Sequence, residues 1–428
     1  MPDKELIDTC VHCGFCLPAC PTYQSWGEEM DSPRGRIYLM KQVAEGALPL
    51  DRGVVRHIDA CLGCMGCVTA CPSGVKYDAL IEQMRAEIEN RYPRRWPDRI
   101  FRASIFALFP YPLRLKIAVL LQLVYVKTGL RWLFHALGLN RLLPRRTAQM
   151  ESLMPKVSAR MLTSSLPPFS PAFAERRARV ALIAGCVQRV YFPEVNEATI
   201  RVLNAEGCDV LVPRGQGCCG ALSLHSGRAR EAQSFAKDVI ARFERENVDA
   251  ILVNAAGCGS NLKEYGRLFA GDPQWSERGA RVAAKVKDVS EFLVSLGARA
   301  QRHPMSLKIA CHDACHLAHA QRIRSQPREL LRSIPGLELC DVPDGDQCCG
   351  SAGIYNLLQP KSAREIGARK VENVLATQAQ LLASTNPGCT LQIQMMLRER
   401  GAYLVAAHPI QLLDASIRND SAAFPTKA

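Results

Sequence analysis

Two cysteine runs constrain this chain more than anything else in it: Cys10, Cys13, Cys16 and Cys20 before Pro21, and Cys61, Cys64, Cys67 and Cys71 before Pro72. Each has the Cys-x-x-Cys-x-x-Cys-x-x-x-Cys-Pro spacing that holds [4Fe-4S] clusters. Three thiolates on one tight loop reach three irons of one cube, and the fourth, turned aside by the Cys-Pro step, reaches the neighbouring cube. The expected sets therefore interleave. Cys10, Cys13 and Cys16 pair with Cys71 for one cluster, and Cys61, Cys64 and Cys67 pair with Cys20 for the other. Gly14, Gly63 and Gly66 let the backbone wrap closely and turn amide groups toward the anionic cluster. Structural zinc is the weaker reading, because zinc ribbons keep their paired knuckles apart. A disulfide framework is weaker still. The polar start Met1–Asp8 lacks the apolar stretch of a signal peptide, so the expectation is a reducing cytoplasm in which the 19 cysteines stay thiols or metal ligands.

At 428 residues the chain is long enough for two or three cores, and 48% hydrophobic with 22% charged residues is ordinary globular material. Its formal charge of +13 is concentrated in one segment. Residues 91 to 160 hold 14 Arg or Lys against Asp98 and Glu151, which leaves the rest of the chain nearly neutral. That segment also carries the apolar run Ile117–Val126 among Phe101, Phe106, Phe109, Tyr111, Tyr125, Trp132 and Phe134. The run is too short to cross a bilayer as a helix. Basic and aromatic residues interleaved with Leu and Ile fit a membrane surface or a docked partner; the competing reading is a pair of bridging helices with solvated basic faces. No nucleic-acid partner is expected, since no helix-turn-helix or zinc-finger signature accompanies the charge.

The expected organisation is a helical, two-cluster ferredoxin-like domain over 1–90, a basic aromatic connecting segment over 91–163 and a Pro/Ser-rich linker over 164–178. Two α/β domains follow, over 179–300 and 301–428, so the fold class is mixed α+β and α/β. In the first domain Val180–Gly185, Cys208–Val212 and Asp249–Asn254 read as strands, with helical spacing over Pro193–Glu206 and Arg228–Glu246. Strands at Leu307–Ala310, Leu337–Cys340 and Gln380–Thr385, with helices at Gln326–Ser333 and Lys361–Ala376, repeat the pattern in the second.

Cysteines mark the duplication. Cys186, Cys218, Cys219 and Cys258 match Cys315, Cys348, Cys349 and Cys389, at separations of 32 against 33 and 39 against 40 residues. Cys186, Cys258 and Cys389 each follow a glycine just past a strand, at the sheet edge where parallel α/β folds bind ligands. Buried structural cysteine is the competing reading, and the preferred one for Cys208 and Cys340. His312 and His316 flank Cys315 and are candidate ligands or proton relays, whereas His225 reads as loop surface. Arg34 and Arg36 either neutralise a cluster or cap the domain surface.

With these motifs in place the chain resembles the iron-sulfur subunits of glycolate oxidase along nearly its full length. The likeness rests on Cys10-Val-His-Cys-Gly-Phe-Cys16 with Cys20-Pro-Thr-Tyr23, on Asp31-Ser-Pro-Arg-Gly-Arg-Ile-Tyr38, on Cys71-Pro-Ser-Gly-Val75, and on Cys348-Cys-Gly-Ser-Ala-Gly353 with Leu357-Leu-Gln-Pro360. It implies an electron-transfer subunit with two [4Fe-4S] clusters, no catalytic residue of its own, an FAD-containing 2-hydroxy-acid dehydrogenase as partner and a quinone as acceptor. It also implies a cytoplasmic protein, peripheral on the inner face of the inner membrane through residues 91–160. The iron-sulfur subunits of lactate or glycerol-3-phosphate dehydrogenases are a further alternative. The repeats also look like the CCG domains of heterodisulfide reductases, which would make this a thiol/disulfide reductase subunit, but those end in two cysteines two residues apart. Here Cys258-Gly-Ser-Asn261 and Cys389-Thr-Leu-Gln392 supply only the first. A further cluster is therefore expected in the second repeat, where Cys311 offers a fifth thiolate beside Cys315, Cys348, Cys349 and Cys389, in preference to Cys186, Cys218, Cys219 and Cys258.

Overall fold

The computed structural model describes residues 1–424. The first 91 residues fold as helices and loops, with no strand among them. Ser32 caps the helix Pro33–Ala44 by accepting from the Gly35 amide, and Pro33 at its first position fits the fixed proline φ. This helix, Arg52–Asp59 and Tyr77–Arg91 bury Met40, Ile58, Leu80, Ile81, Met84 and Ile88 in one small core. The cysteine loops hang from that core.

Two parallel sheets follow. The first runs β1 (Phe169–Ser170), β3 (Cys208–Leu211), β2 (Ala178–Ile183), β4 (Ala250–Val253), β5 (Val286–Asp288), with only β1 antiparallel. The second runs β7 (Leu337–Asp341), β6 (Leu307–His312), β8 (Leu381–Ser384), β9 (Val405–Ala407), all parallel. The strand orders superpose once β1 is set aside, so the cysteine repeat is a repeat of topology. β1 lies in the stretch whose Pro/Ser content reads as pure linker. Its pairing of Phe169 with Leu211 and Ser170 with Val210 covers a sheet edge, which composition does not reveal.

The repeats share a core. Val180 and Leu182 of β2 and Leu307 and Ile309 of β6 face the same apolar cluster, filled by the helices Pro193–Ala205 and Pro409–Ile417. Arg201 closes it with a bidentate pair to Asp414 at 2.9 and 2.7 Å. The opposite faces of the two sheets carry the repeat cysteines.

The connecting segment is helical over Trp96–Leu108, Pro112–Lys127, Leu130–Ala136 and Arg145–Ser152. Pro112–Lys127 is apolar on both sides. Leu115, Val119 and Leu123, spaced by four, pack on Val190 and Tyr191 of the first repeat, while Leu113, Ile117, Leu120, Leu121 and Val124 stay exposed. No single helix among the described residues is long and apolar enough to cross a membrane, and Trp96–Leu108 and Pro112–Lys127 bend by 103° at their junction. Part of the basicity is internal. Arg94 and Arg102, only 10% and 11% exposed, pair with Asp59, Glu89 and Asp98 and tie this segment to the first domain. Charge counting had left open fully solvated basic faces, and these two arginines do not fit that reading.

Candidate iron-sulfur sites

Cys20, Cys61, Cys64 and Cys67 ring one small cavity, closed by Pro21, Pro33, Leu62, Met65 and Tyr77. They are the interleaved set that the Cys-Pro geometry requires. The loop carrying Cys61–Cys67 turns through positive φ at Gly63 and Met65, which swings successive thiols to the same side. Sulfur hydrogen bonds are already in place: Gly63 N to Cys61 Sγ at 3.3 Å, Tyr77 Oη to Cys61 Sγ at 3.5 Å, and Thr22 Oγ1 with Cys20 Sγ at 3.1 Å.

Arg36 is the cation of this site. Its side chain is 1% exposed and bonds His57 O at 2.7 Å, Thr22 Oγ1 at 3.1 Å and Asp31 Oδ1 at 3.4 Å, with Nη1 4.0 Å from Cys20 Sγ. Burial opposes its charge, yet the thiols of Cys61 and Cys20, the Tyr77 hydroxyl and the Asp31 carboxylate outweigh that and hold it firmly protonated. In return, although burial raises the Cys61 thiol, Arg36 and Arg85 bring it below its ordinary value. A buried guanidinium without anions around it would be costly, and a cluster of thiolates supplies them. Arg34 plays the other role: it pairs with Glu29 at 2.7 Å and bonds His12 O on the first cysteine loop.

The first run is more open. Cys10, Cys16 and Cys71 each pack, half-buried, against the helical core, and Cys13 is exposed. Burial raises the Cys16 thiol to about 11, and the thiols of Cys10 and Cys20 add to the effect. Eight thiols, four of them gathered at one cavity, suffice for two [4Fe-4S] clusters.

In the first repeat, Cys186 follows β2, Cys258 lies in the first turn of the helix Ala256–Lys263 after β4, and Cys218-Cys219 arrive on the loop after β3. Cys186 Sγ is 3.6 Å from Cys218 Sγ, and the Gly220 amide donates to Cys218 Sγ at 3.4 Å. The second repeat builds the same group from Cys315, Cys348, Cys349 and Cys389, with Asn386 Nδ2 3.5 Å from Cys389 Sγ. β2 and β6 are the strands at which sheet order reverses, and crevices form there. Cys208 sits in the apolar core and Cys340 on the edge strand β7, both outside these groups.

Cys311 does not join the second group. Strand alternation places it on the face of Leu307 and Ile309, in the core shared by the repeats, where burial raises its thiol to about 11. The expectation of a fifth thiolate from Cys311 is thereby corrected. Its neighbour His312, on the other face, lies with Cys349 and Cys389, their ligand atoms all within 4.8 Å of one another.

All three parts meet at one cavity of about 320 Å³, lined by Cys61, by Cys186, Cys218, Cys219 and Cys258, and by Cys315, Cys348 and Cys389. Leu108, Phe109 and Leu115 of the connecting segment form its apolar side. Cys64 of the second run packs in one cluster with Cys315 and Cys348. His225 and His316 meet edge to face there, ring centroids 4.9 Å apart. His225 is bonded to Glu82 at 3.0 Å and is no plain loop residue. His316 binds Gly63 O at 3.0 Å and Ser260 Oγ at 2.7 Å, and burial drives its pKa to about 3, so it stays neutral. Arg85 donates to both Cys61 O and His225 O and seals the seam.

Comparison with known proteins divides the chain in the same way. Residues 6–75 match the family described as 4Fe-4S dicluster domain, 97–154 the linker region of the glycolate oxidase iron-sulfur subunit, and 180–263 and 309–394 the cysteine-rich CCG domain. A probable glycolate oxidase iron-sulfur subunit of Bacillus subtilis is 40% identical over 94% of this chain and 91% of its own length. The glycolate oxidase iron-sulfur subunit of Escherichia coli is 34% identical over 97% and 95%. Lactate utilization protein A of Oceanobacillus iheyensis is 29% identical over 55% of this chain and 96% of its own. In fold alone, a hypothetical protein from Helicobacter pylori superposes with a TM-score of 0.58 at 9% identity, covering 93% of this chain and 71% of that one.

Proposed function

The chain belongs to the family of glycolate oxidase iron-sulfur subunits, and from that premise we propose that it takes electrons from a separate flavin-containing 2-hydroxy-acid dehydrogenase subunit and delivers them to a membrane quinone. It is an electron-transfer subunit of an oxidoreductase. The residues that hold [4Fe-4S] clusters are Cys10, Cys13, Cys16 and Cys71 in one set and Cys61, Cys64, Cys67 and Cys20 in the other. The clusters supply one-electron steps, which a two-electron flavin donor needs.

The observation that carries this reading is the contact of Cys64 with Cys315 and Cys348, beside a cavity open to Cys61 and to both repeats. A free-standing ferredoxin has no use for a second thiol array against its cluster loop. Arg36 compensates the buried thiolates, and Tyr77, Thr22 and the Gly63 amide direct hydrogen bonds at their sulfurs. Such bonds and the shielding from water tune a cluster's potential.

The connecting segment serves as the membrane contact. Leu113 (73% exposed), Leu121 (65%), Trp132 (74%) and Leu142 (79%) project from a stretch that carries most of the net positive charge. Lys127 is exposed in the same stretch, while Arg131 pairs with Glu151. An amphipathic basic surface of this kind binds anionic lipid by apolar insertion plus attraction to headgroups. The cytoplasmic face of the inner membrane, where quinone is available, is the location this reading assigns to the protein. Co-sedimentation with vesicles of anionic and of purely zwitterionic lipid tests it. Binding to the anionic vesicles should fall about tenfold in Leu121→Glu/Trp132→Glu and weaken with salt; equal binding of wild type and variant would refute the membrane role.

A further inference from the structure

We propose that His312 is an imidazole ligand to iron in the second cysteine-rich repeat, so that this repeat holds a mixed nitrogen-sulfur centre and the first does not. The inference rests on the electron-transfer reading only for the identity of the metal. His312 is the last residue of β6, and strand alternation turns it away from Cys311 toward the cysteine group. Its ring nitrogens and the sulfurs of Cys349 and Cys389 converge within 4.8 Å, all three residues buried. Cys315 and Cys348 belong to the same group, which brings the set to five donors.

A second observation points the same way. His312 is 4% exposed, yet its ring nitrogens meet no oxygen or nitrogen partner, and the one side chain against them is the Cys349 thiol. Buried imidazoles elsewhere in this chain are paired: His316 with Gly63 O and Ser260, His319 with Thr69 and Asp346 O, and His408 with the Ile410 amide. Leaving a buried polar group unpaired costs on the order of 1–3 kcal/mol. A metal bond satisfies one nitrogen for which the chain supplies no oxygen or nitrogen partner.

The first repeat supplies the control. His312 stands three residues before Cys315, and the residue three before Cys186 is Ile183, buried on the same sheet face against Cys218 and Cys219. An aliphatic side chain offers no ligand, so the duplicated site has its four thiols without an imidazole at this position. Thiolate and imidazole together suit iron or zinc. Replacing a neutral imidazole by an anionic thiolate on a cluster iron lowers its reduction potential, so a cysteine at position 312 would make the second repeat less oxidising.

The test uses the full chain, purified anaerobically, with iron, sulfide and zinc counted and the reduced protein examined by EPR and pulsed hyperfine spectroscopy. Histidine labelled with 15N in the wild-type protein needs no variant. The expected result is a histidine-nitrogen coupling on a paramagnetic iron centre. That coupling should disappear in His312→Ala and in His312→Cys, with iron kept in His312→Cys but at a lower midpoint potential, and the signals of the Cys10–Cys71 region unchanged in both. Absence of any histidine coupling, with metal content and midpoints equal in wild type and both variants, overturns the proposal. Zinc in place of iron, lost in His312→Ala alone, overturns the iron assignment while leaving the [4Fe-4S] signals, and hence the electron-transfer reading, intact.

Discussion

The two cysteine-rich repeats share a strand order, four cysteines and a common core, and they differ where chemistry is done. Ile183 packs against the first cysteine group, and His312 enters the second. The thiols respond differently. Bonding to Cys258 and burial carry Cys219 well above its ordinary value although Cys218 pulls it down, whereas bonding to Cys348 and Cys389 brings Cys349 well below, with the His312 ring adding to the effect. The second group packs against Cys64 of the N-terminal domain. Duplication preserved the frame here and let one copy specialise.

The sharpest way to break that comparison is to remove the same sulfur from each copy. Cys349→Ser should abolish the metal signal of the second repeat and its share of iron beyond the about eight atoms of two cubanes. Cys219→Ser should leave that signal in place. Equal iron loss in both variants would make the copies equivalent.

A smaller contrast lies in the turns that present the paired cysteines. Gly220 and Gly350 sit at φ +86° and +85°, where a side chain is strained. A Cβ at Gly350 would lie 2.4 Å from Ala363 O, and one at Gly220 2.9 Å from Ala232 O. Gly350→Ala should cost about 3 kcal/mol and Gly220→Ala about 1–2 kcal/mol in denaturant unfolding. The reverse order would mean that the first turn is the tighter one.

The smallest contrast is in helix caps. After β5 the capping box is Asp288 with Glu291, and after β9 it is His408 with Gln411. Burial raises Asp288 to about 6 and lowers His408 to about 3. Asp288 holds its proton in the fold above the ordinary carboxylate pKa of about 3.9, so its contribution is fully present below that value and lost as pH rises through 6. His408 must stay neutral to accept from the Ile410 amide. Its contribution is present above about pH 6.5 and lost as pH falls toward 3. Asp288→Asn should therefore gain more stability at pH 7 than at pH 5, and His408→Asn should flatten the fall between pH 6.5 and 4.5, each by about 1 kcal/mol. Melting curves across that range read both signs.

Local spacing made much of this legible. The two cysteine runs carry their ligand geometry in consecutive residues, and the intervals from Cys186 to Cys258 and from Cys315 to Cys389 exposed the duplication before any strand was seen. What failed was register. Ending the second repeat's first strand at Ala310 leaves Cys311 and His312 without an assigned face, and strand alternation reverses their roles once the strand extends to His312. β1, β5 and β9 are two or three residues long and too short for periodicity to show. Arg94 and Arg102 read as surface charge because their partners Asp59 and Glu89 lie on other helices. The cavity joining Cys61 to both repeats is a product of tertiary packing, with no trace in any local motif.

The central claim is that electrons from a flavoprotein enter this chain and do not arise in it. The direct measurement is anaerobic EPR of the purified chain mixed with glycolate, with and without the flavin-containing subunit proposed as its partner. The account predicts reduced [4Fe-4S] signals only when that subunit is present, and their loss from the second set in Cys64→Ser. Reduction by glycolate in the isolated chain, or none in the complete complex, would contradict it.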